Sequence, residues 1–221
     1  MNPLIRSAGI AALVIFGAFL MHNLNGAYIE PRYLGFMSYA DYALLSKLEH
    51  ASRSLPWLLS GIGHVLSGFA MVILALGVYT MFREVRPIAA LIALSAGQLA
   101  AAGFLLLGMS HVIGRQTLFL LSDANPTMSD SAYMTATVVR ILFNGLAQVG
   151  LGWFAVQLSW CSMKTRALPM SFAVFGFVSG AAGLLMAFAY IPIYLFTVLI
   201  WAAWLGVLLL RHPNPRVVAA D

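Results

Sequence analysis

Long apolar runs separated by short polar stretches dominate the chain. A membrane-spanning helix needs about 20 predominantly apolar residues, and six runs meet that requirement: residues 7–24, 57–82, 88–112, 132–160, 168–190 and 193–210. None of them shows the alternation of a barrel strand. The pattern therefore predicts an all-α, polytopic integral membrane protein. It would be a six-helix transmembrane bundle that forms a single domain over residues 1–221.

The polar connections predict two long outer loops, residues 25–56 and 113–131. In the first, Ser38–Arg53 begins with a capping pattern and repeats leucines on one face, which is typical of an amphipathic helix lying on the membrane surface. In the second, Asn125-Pro126 is a turn signal. Long loops of this kind either shield the bundle as a lid or provide a docking surface for other membrane subunits.

The basic residues between the runs predict the orientation. One side of the predicted bundle carries seven basic and two acidic residues, and the other carries four basic and five acidic residues, with Arg140 inside a span. Because cytoplasmic loops are enriched in Lys and Arg, the first side should be cytoplasmic. This places both termini in the cytoplasm and predicts a multi-pass protein of the plasma membrane.

Composition excludes several classes of function. The chain is 62% hydrophobic and only 9% charged, whereas soluble domains are about 25% charged. A water-soluble enzyme, a nucleic-acid-binding protein and a disordered chain are therefore excluded. The chain has no Walker loop, no Gly-x-Ser-x-Gly elbow and no His-Glu-x-x-His motif, which argues against an ATP-driven pump or a hydrolase.

Four basic side chains fall at similar depth within the predicted spans. They are His22, His64, His111 and Arg140, all in the outer half of the bilayer by helical rise. Ionisable groups inside a membrane usually face the bundle interior and have a function. The alternative is that these histidines only make hydrogen bonds that support packing.

Arg140 begins a polar stripe on the fourth span. Arg140, Asn144 and Gln148 follow i, i+4, i+8 spacing and share one helix face, which we expect to point into the bundle. No acidic residue lies at the same depth in another span. The predicted partner of Arg140 is therefore either an anionic ligand group or a loop carboxylate from Glu49, Asp123 or Asp130.

The leading hypothesis, which we place ahead of a copper site, is a redox-type protein that binds haem b in the outer leaflet and exchanges electrons with quinol. Two histidines, His22 with His111 or His64 with either, would be axial ligands, and Arg140 would pair with a propionate. In architecture this resembles the membrane-anchor cytochromes of succinate dehydrogenases, which place ligand histidines at successive helix ends. Here, in contrast, the fourth span carries an arginine.

Two further hypotheses remain open. His22, His64 and His111 could bind copper or zinc, with Glu49, His50 or water completing the coordination. Alternatively the protein is a non-catalytic accessory or assembly subunit of a larger membrane complex, or it binds a lipophilic molecule such as a quinone. The sequence leaves open whether the protein is an enzyme.

Overall fold

The computed structural model describes residues 2–29, 32, 55–124, 126–186, 188 and 191–211. This part of the chain is helical and contains six α-helices. They are α1 (Pro3–Leu24), α2 (Leu55–Phe82), α3 (Pro87–Ala124), α4 (Pro126–Thr165), α5 (Met170–Leu185) and α6 (Pro192–Arg211). A π-helical turn, Asn25–Ile29, continues α1.

Local sequence signals explain where these helices begin. The side chain of Asn2 accepts a hydrogen bond from the Leu4 amide at 3.0 Å and caps α1. Proline is the first residue of α1, α3, α4 and α6, a position where its missing N–H costs no helical hydrogen bond. Arg166, with φ of 53°, follows the last residue of α4 in the left-handed conformation that commonly ends helices.

Five helices are long and apolar enough to cross a membrane. These segments are Pro3–Leu24, Leu55–Phe82, Pro87–Gly114, Thr135–Thr165 and Ile193–Arg211. The sixth, α5, is apolar but has only 16 residues. The described residues thus form a helical bundle of the kind found in membrane proteins.

The connection between α3 and α4 differs from the prediction. Residues 113–124 continue α3, and α4 begins again at Pro126, where the sequence predicted a loop over 113–131. The 38 residues of α3 span about 57 Å, so both helices continue beyond the apolar segments. Pro126 of the predicted turn signal is the first residue of α4, because proline is favoured in the first helical turn. The predicted surface helix at Ser38–Arg53 lies outside the described residues.

The principal helix contacts form a closed ring in the order α1, α2, α3, α4, α5, α6 and back to α1. Large buried side chains fill the interior, and Phe154 of α4 meets Trp201 of α6 edge to face at 6.2 Å between ring centroids. Small residues let the helices approach closely. A Cβ on Gly103 of α3 would lie only 2.5 Å from the Ala147 amide nitrogen of α4.

The antiparallel path gives the bundle two chemically different ends. The end where α1 begins and α6 ends, called the basic end here, carries six described basic residues: Arg6, Arg83, Arg86, Lys164, Arg166 and Arg211. The opposite end, called the histidine end, contains His22, His64, His111 and Arg140. The bundle thus carries its basic surface at one end and the four candidate site residues at the other.

Candidate functional site

Three imidazole rings from three helices meet at the histidine end. The ring centroids of His22 on α1 and His64 on α2 are 4.5 Å apart. Those of His64 and His111 on α3 are 5.5 Å apart. His64 therefore lies between the other two rings, and His64 and His111 are only 4% and 8% exposed. We call these three residues the histidine cluster.

Close helix packing brings the cluster together. A Cβ on Gly61 of α2 would lie 2.7 Å from the Cβ of His111, and a Cβ on Gly108 of α3 would lie 2.7 Å from the Gly61 carbonyl oxygen. No side chain larger than hydrogen fits at this crossing without displacing a helix. The two glycines therefore set the separation of α2 and α3 beside His64 and His111.

Met21 of α1 contacts α2 at the residue that precedes His64. Its Cε would lie 2.8 Å from a Cβ on Gly63, so the thioether side chain fills the space that this glycine leaves. The contact therefore supports the close approach of α1 to α2 near the cluster.

An aromatic floor separates the cluster from the middle of the bundle. His64 stacks on Phe104 with 9° between the ring planes and 6.4 Å between centroids. Phe19 meets Phe104 edge to face at 5.4 Å. Both phenylalanines are buried, so the cluster is shielded by apolar rings on the side facing the bundle centre.

Trp57 and Arg140 cover the opposite side. The Trp57 ring centroid lies 4.9 Å from that of His111, and the Cζ of Arg140 lies 4.2 Å from the Trp57 centroid. A guanidinium over an indole face is a favourable cation–π arrangement. Arg140 also donates a hydrogen bond to Thr137 Oγ1 at 2.9 Å. Arg140 thus reaches the histidine cluster through Trp57.

Asn25 ties the π-helical turn to the beginning of α2. Its Nδ2 donates to the Pro56 carbonyl at 3.1 Å and to Ser60 Oγ at 3.2 Å. Asn25 and Ser60 are both buried, which makes these hydrogen bonds costly to lose. The contact holds the end of α1 against α2, one helical turn from His64.

The hydrogen bonds of the cluster leave ring nitrogens available. Nδ1 of His111 lies 2.9 Å from the Leu107 carbonyl oxygen, and a carbonyl only accepts, so this nitrogen carries the proton. Nε2 of His111 then keeps its lone pair, as in histidines whose second nitrogen binds a metal. His22 Nδ1 and His64 Nε2 are buried and have no hydrogen-bond partner among the described residues. Such groups are uncommon in proteins.

The polar stripe is only partly inside the bundle. Gln148 is buried and donates through Nε2 to Asn144 Oδ1 at 3.3 Å, whereas Asn144 itself is exposed. Gln148 Oε1 is buried without a hydrogen-bond partner in the described part of the chain. The stripe therefore runs from a partly exposed Arg140 to a buried Gln148, and its middle member faces outward.

Other predicted participants lie outside what the structure describes. Glu49 and His50, suggested as additional ligands, fall in residues 33–54, and the side chains of Asp123 and Asp130 are also outside the described set. Within the described ranges, no three histidine, cysteine or acidic side chains are already arranged to hold a metal ion. A metal shared by the histidine cluster would therefore require rotation of its rings.

Sequence reasoning missed Trp57, Phe104 and Asn25 as members of the site. Trp57 precedes His64 by seven residues and so shares its helix face. Phe104 has the same seven-residue relation to His111. The spacing could have identified both rings, but Asn25 gave no comparable signal.

The ring separations limit which group could bind. A metal held by imidazole nitrogens at about 2.0–2.1 Å lies about 3.2 Å from each ring centroid. The observed separations of 4.5 and 5.5 Å then correspond to angles of roughly 90–120° at a shared metal. Axial imidazoles on opposite faces of a haem iron would stand about 6 Å apart, with the macrocycle between them. The His22–His64 and His64–His111 centroid separations are both shorter than this distance. Neither pair of rings therefore leaves room for a macrocycle between them.

Comparison with known proteins identifies no relative: no protein-family profile, curated protein or solved structure matches this chain.

Proposed function

We propose that this protein is an integral membrane redox-type protein that binds a cofactor through His22, His64 and His111. It would span the plasma membrane six times with both termini in the cytoplasm, and the histidine cluster would lie in the outer leaflet. The observation that carries the proposal is the meeting of three imidazoles from three helices, with His22 Nδ1 and His64 Nε2 buried and unpartnered. A buried imidazole nitrogen without a hydrogen-bond partner is suited to a metal when it carries the lone pair of the neutral ring.

A single metal ion fits the ring separations better than haem b does, and copper is our first candidate. Imidazole binds both copper and zinc, whereas a thioether favours cuprous copper, and the chain carries a thioether next to the cluster in sequence at Met21, which contacts α2 at Gly63. The nearby charge of Arg140 disfavours a divalent ion more than a monovalent one in a low-dielectric site. When bound, copper would supply one-electron chemistry.

Haem b is the second candidate because Arg140 offers a partner for a propionate. A haem between His22 and His111 would require the His64 ring, which contacts both, to leave its position. The unused histidine would then be available to a quinol or to a proton path. This arrangement demands a larger rearrangement than the binding of a metal ion.

The third candidate is a non-catalytic accessory subunit or a binder of a lipophilic molecule. The α3–α4 hairpin extends beyond the apolar segments and would offer a surface to another membrane subunit. In that case the histidine cluster would serve only packing.

Metal analysis and an absorption spectrum of the purified protein separate these candidates. We expect about one copper per chain and no Soret band. His64→Ala should lower the copper content at least tenfold, and His212→Ala, which replaces a histidine outside the described residues, should leave it unchanged. Met21→Leu should lower copper retention and leave zinc retention unchanged.

The other outcomes each select a different candidate. A Soret band with a reduced α-band would replace copper by haem b. Zinc in stoichiometric amount without copper would support the tri-histidine site but remove its redox role. Absence of any metal or haem signal after copper loading would refute cofactor binding and leave the accessory-subunit function.

A further inference from the structure

A groove at the basic end carries features that the proposed function does not use. It has a volume of about 740 Å³ and lies between the beginning of α3, the last part of α4 and α5. This size is typical of a site for one small ligand. Its apolar lining includes Ile88, Ile92, Val156 and Phe177, and its polar lining includes Arg86 and Gln157.

The groove changes from charged to apolar along its length. Arg86 lies in the short turn between α2 and α3, whereas Ile92 lies in the second turn of α3, about 8 Å farther along the helix axis. Phe177 is similarly about 10 Å from the beginning of α5. A ligand that fills the groove must therefore be charged at one end and mainly apolar at the other, where Gln157 adds one polar group to the lining.

Two cations lie at the charged end of the groove. Arg86 lines the groove, and Nζ of Lys164 lies 4.8 Å from the ring centroid of Trp160, which also lines it. Arg83 and Arg166 lie on the same end and are exposed. Glu84 is the one acidic residue in the described segments of the basic end. The charge therefore complements an anion.

We propose that this groove binds an anionic phospholipid. Its phosphate would lie at Arg86 and Lys164, and an acyl chain would lie against Ile88, Ile92 and Phe177. Basic pockets between membrane helices on the cytoplasmic side bind lipid headgroups in this way. Trp160, 47% exposed, has the indole side chain that favours the headgroup level of a bilayer.

Tryptophan quenching by brominated lipids tests the proposal in the full-length protein. The protein is reconstituted into nanodiscs of phosphatidylcholine that contain a small fraction of brominated phosphatidylglycerol or brominated phosphatidylcholine. The Trp160 signal is the difference between the wild type and Trp160→Phe. We expect about tenfold stronger apparent binding of brominated phosphatidylglycerol than of brominated phosphatidylcholine.

Two variants distinguish a specific site from general attraction to the basic end. Arg86→Gln should weaken the preference for phosphatidylglycerol by about fivefold, since one basic residue near the surface contributes about that factor. Arg211→Gln removes a cation from the same end, but not from the groove lining, and should change it by less than twofold. Equal losses in these two variants would show non-specific attraction and overturn the proposal.

A third variant blocks the groove without changing its charge. Ala89 lines the groove and is partly exposed, so Ala89→Phe should fill it and abolish quenching of Trp160 by both lipids at low lipid fraction. Helical circular dichroism and a monodisperse elution profile confirm that the variant is folded. Unchanged phosphatidylglycerol preference in folded Ala89→Phe, or equal quenching by the two lipids in the wild type, would overturn the proposal.

Discussion

His22 and His64, from two different helices, place their imidazole centroids 4.5 Å apart with 57° between the ring planes. The contact buries His22 Nδ1 and His64 Nε2 together, and neither has a hydrogen-bond partner in the described structure. Because buried polar groups without partners cost about 1–3 kcal/mol each, the contact is unfavourable unless another group satisfies these nitrogens. A bound metal would do so.

The crossing at Gly61 should be intolerant of any larger side chain. Gly61→Ala would place a Cβ 2.7 Å from His111 Cβ, and overpacking of this kind costs about 1–3 kcal/mol. We expect a lower free energy of unfolding in detergent and a lower cofactor content.

Gly145→Ala is the matched control for that variant. Gly145 also lies in a helix, but a Cβ added there would meet no atom within 4 Å. Alanine has the higher helix propensity, so stability should be unchanged or slightly increased. Equal destabilisation by Gly61→Ala and Gly145→Ala would contradict the close-packing explanation.

Trp57 and Arg140 should be energetically coupled. In a double-mutant cycle with Trp57→Leu and Arg140→Met, we expect a coupling of about 1 kcal/mol, because the guanidinium lies over a largely buried indole. The measurement is the free energy of unfolding of the wild type, the two single variants and the double variant.

The second cation–π pair provides an internal comparison. Lys164 and Trp160 are both exposed, and exposed pairs are weaker than desolvated ones. The cycle with Trp160→Leu and Lys164→Met should therefore give a smaller coupling. A Trp57–Arg140 coupling below that of the exposed pair would show that Arg140 does not stabilise Trp57.

Asn25 should contribute to stability through its two hydrogen bonds. Asn25→Leu leaves the Pro56 carbonyl and Ser60 Oγ without this donor, and we expect a loss of about 1–3 kcal/mol in the free energy of unfolding. Ser60→Ala removes only one of the two bonds and should cost less. If Ser60→Ala costs the same in the wild type and in Asn25→Leu, the two side chains are not coupled and the predicted network is wrong.

Cysteine labelling should establish the orientation. Gln116 is exposed on the part of α3 beyond its apolar segment, and Arg83 is exposed at the opposite end. In a Cys161→Ala background, an impermeant maleimide added to intact cells should label Gln116→Cys and spare Arg83→Cys. Cys161 is itself fully buried, so the wild type should label poorly. Labelling of Arg83→Cys alone would invert the predicted topology.

The helices were predictable because a long apolar run that is bounded by proline and polar turns strongly favours a helix. The predicted run at 57–82, for example, corresponds to Leu55–Phe82. The extension of α3 through Ala124 was not predictable in the same way. Its polar residues are compatible with either a loop or a helix outside the apolar segment, so hydropathy does not distinguish the two.

The site was partly predictable for a similar reason. Helical rise places His22, His64 and His111 at one depth, and the structure brings these rings together. The rise per residue gives the depth of a side chain but not its rotation around the helix axis. The exposed position of Asn144 was therefore not predicted. The roles of Trp57 and Phe104 likewise depend on which faces of α2 and α3 meet.

The amino-acid sequence by itself determined the helical class of the protein, the approximate bounds of its helices and the common depth of its three clustered histidines. These properties follow from hydropathy and from the rise per residue, both of which are local.

Only the tertiary structure decided that the three imidazoles touch and that Trp57 lies between His111 and Arg140. It also placed Gln148 inside the bundle while Asn144 faces outward. Those relations depend on the order and rotation of packed helices, which small residues such as Gly61 and Gly108 set through contacts between distant parts of the chain.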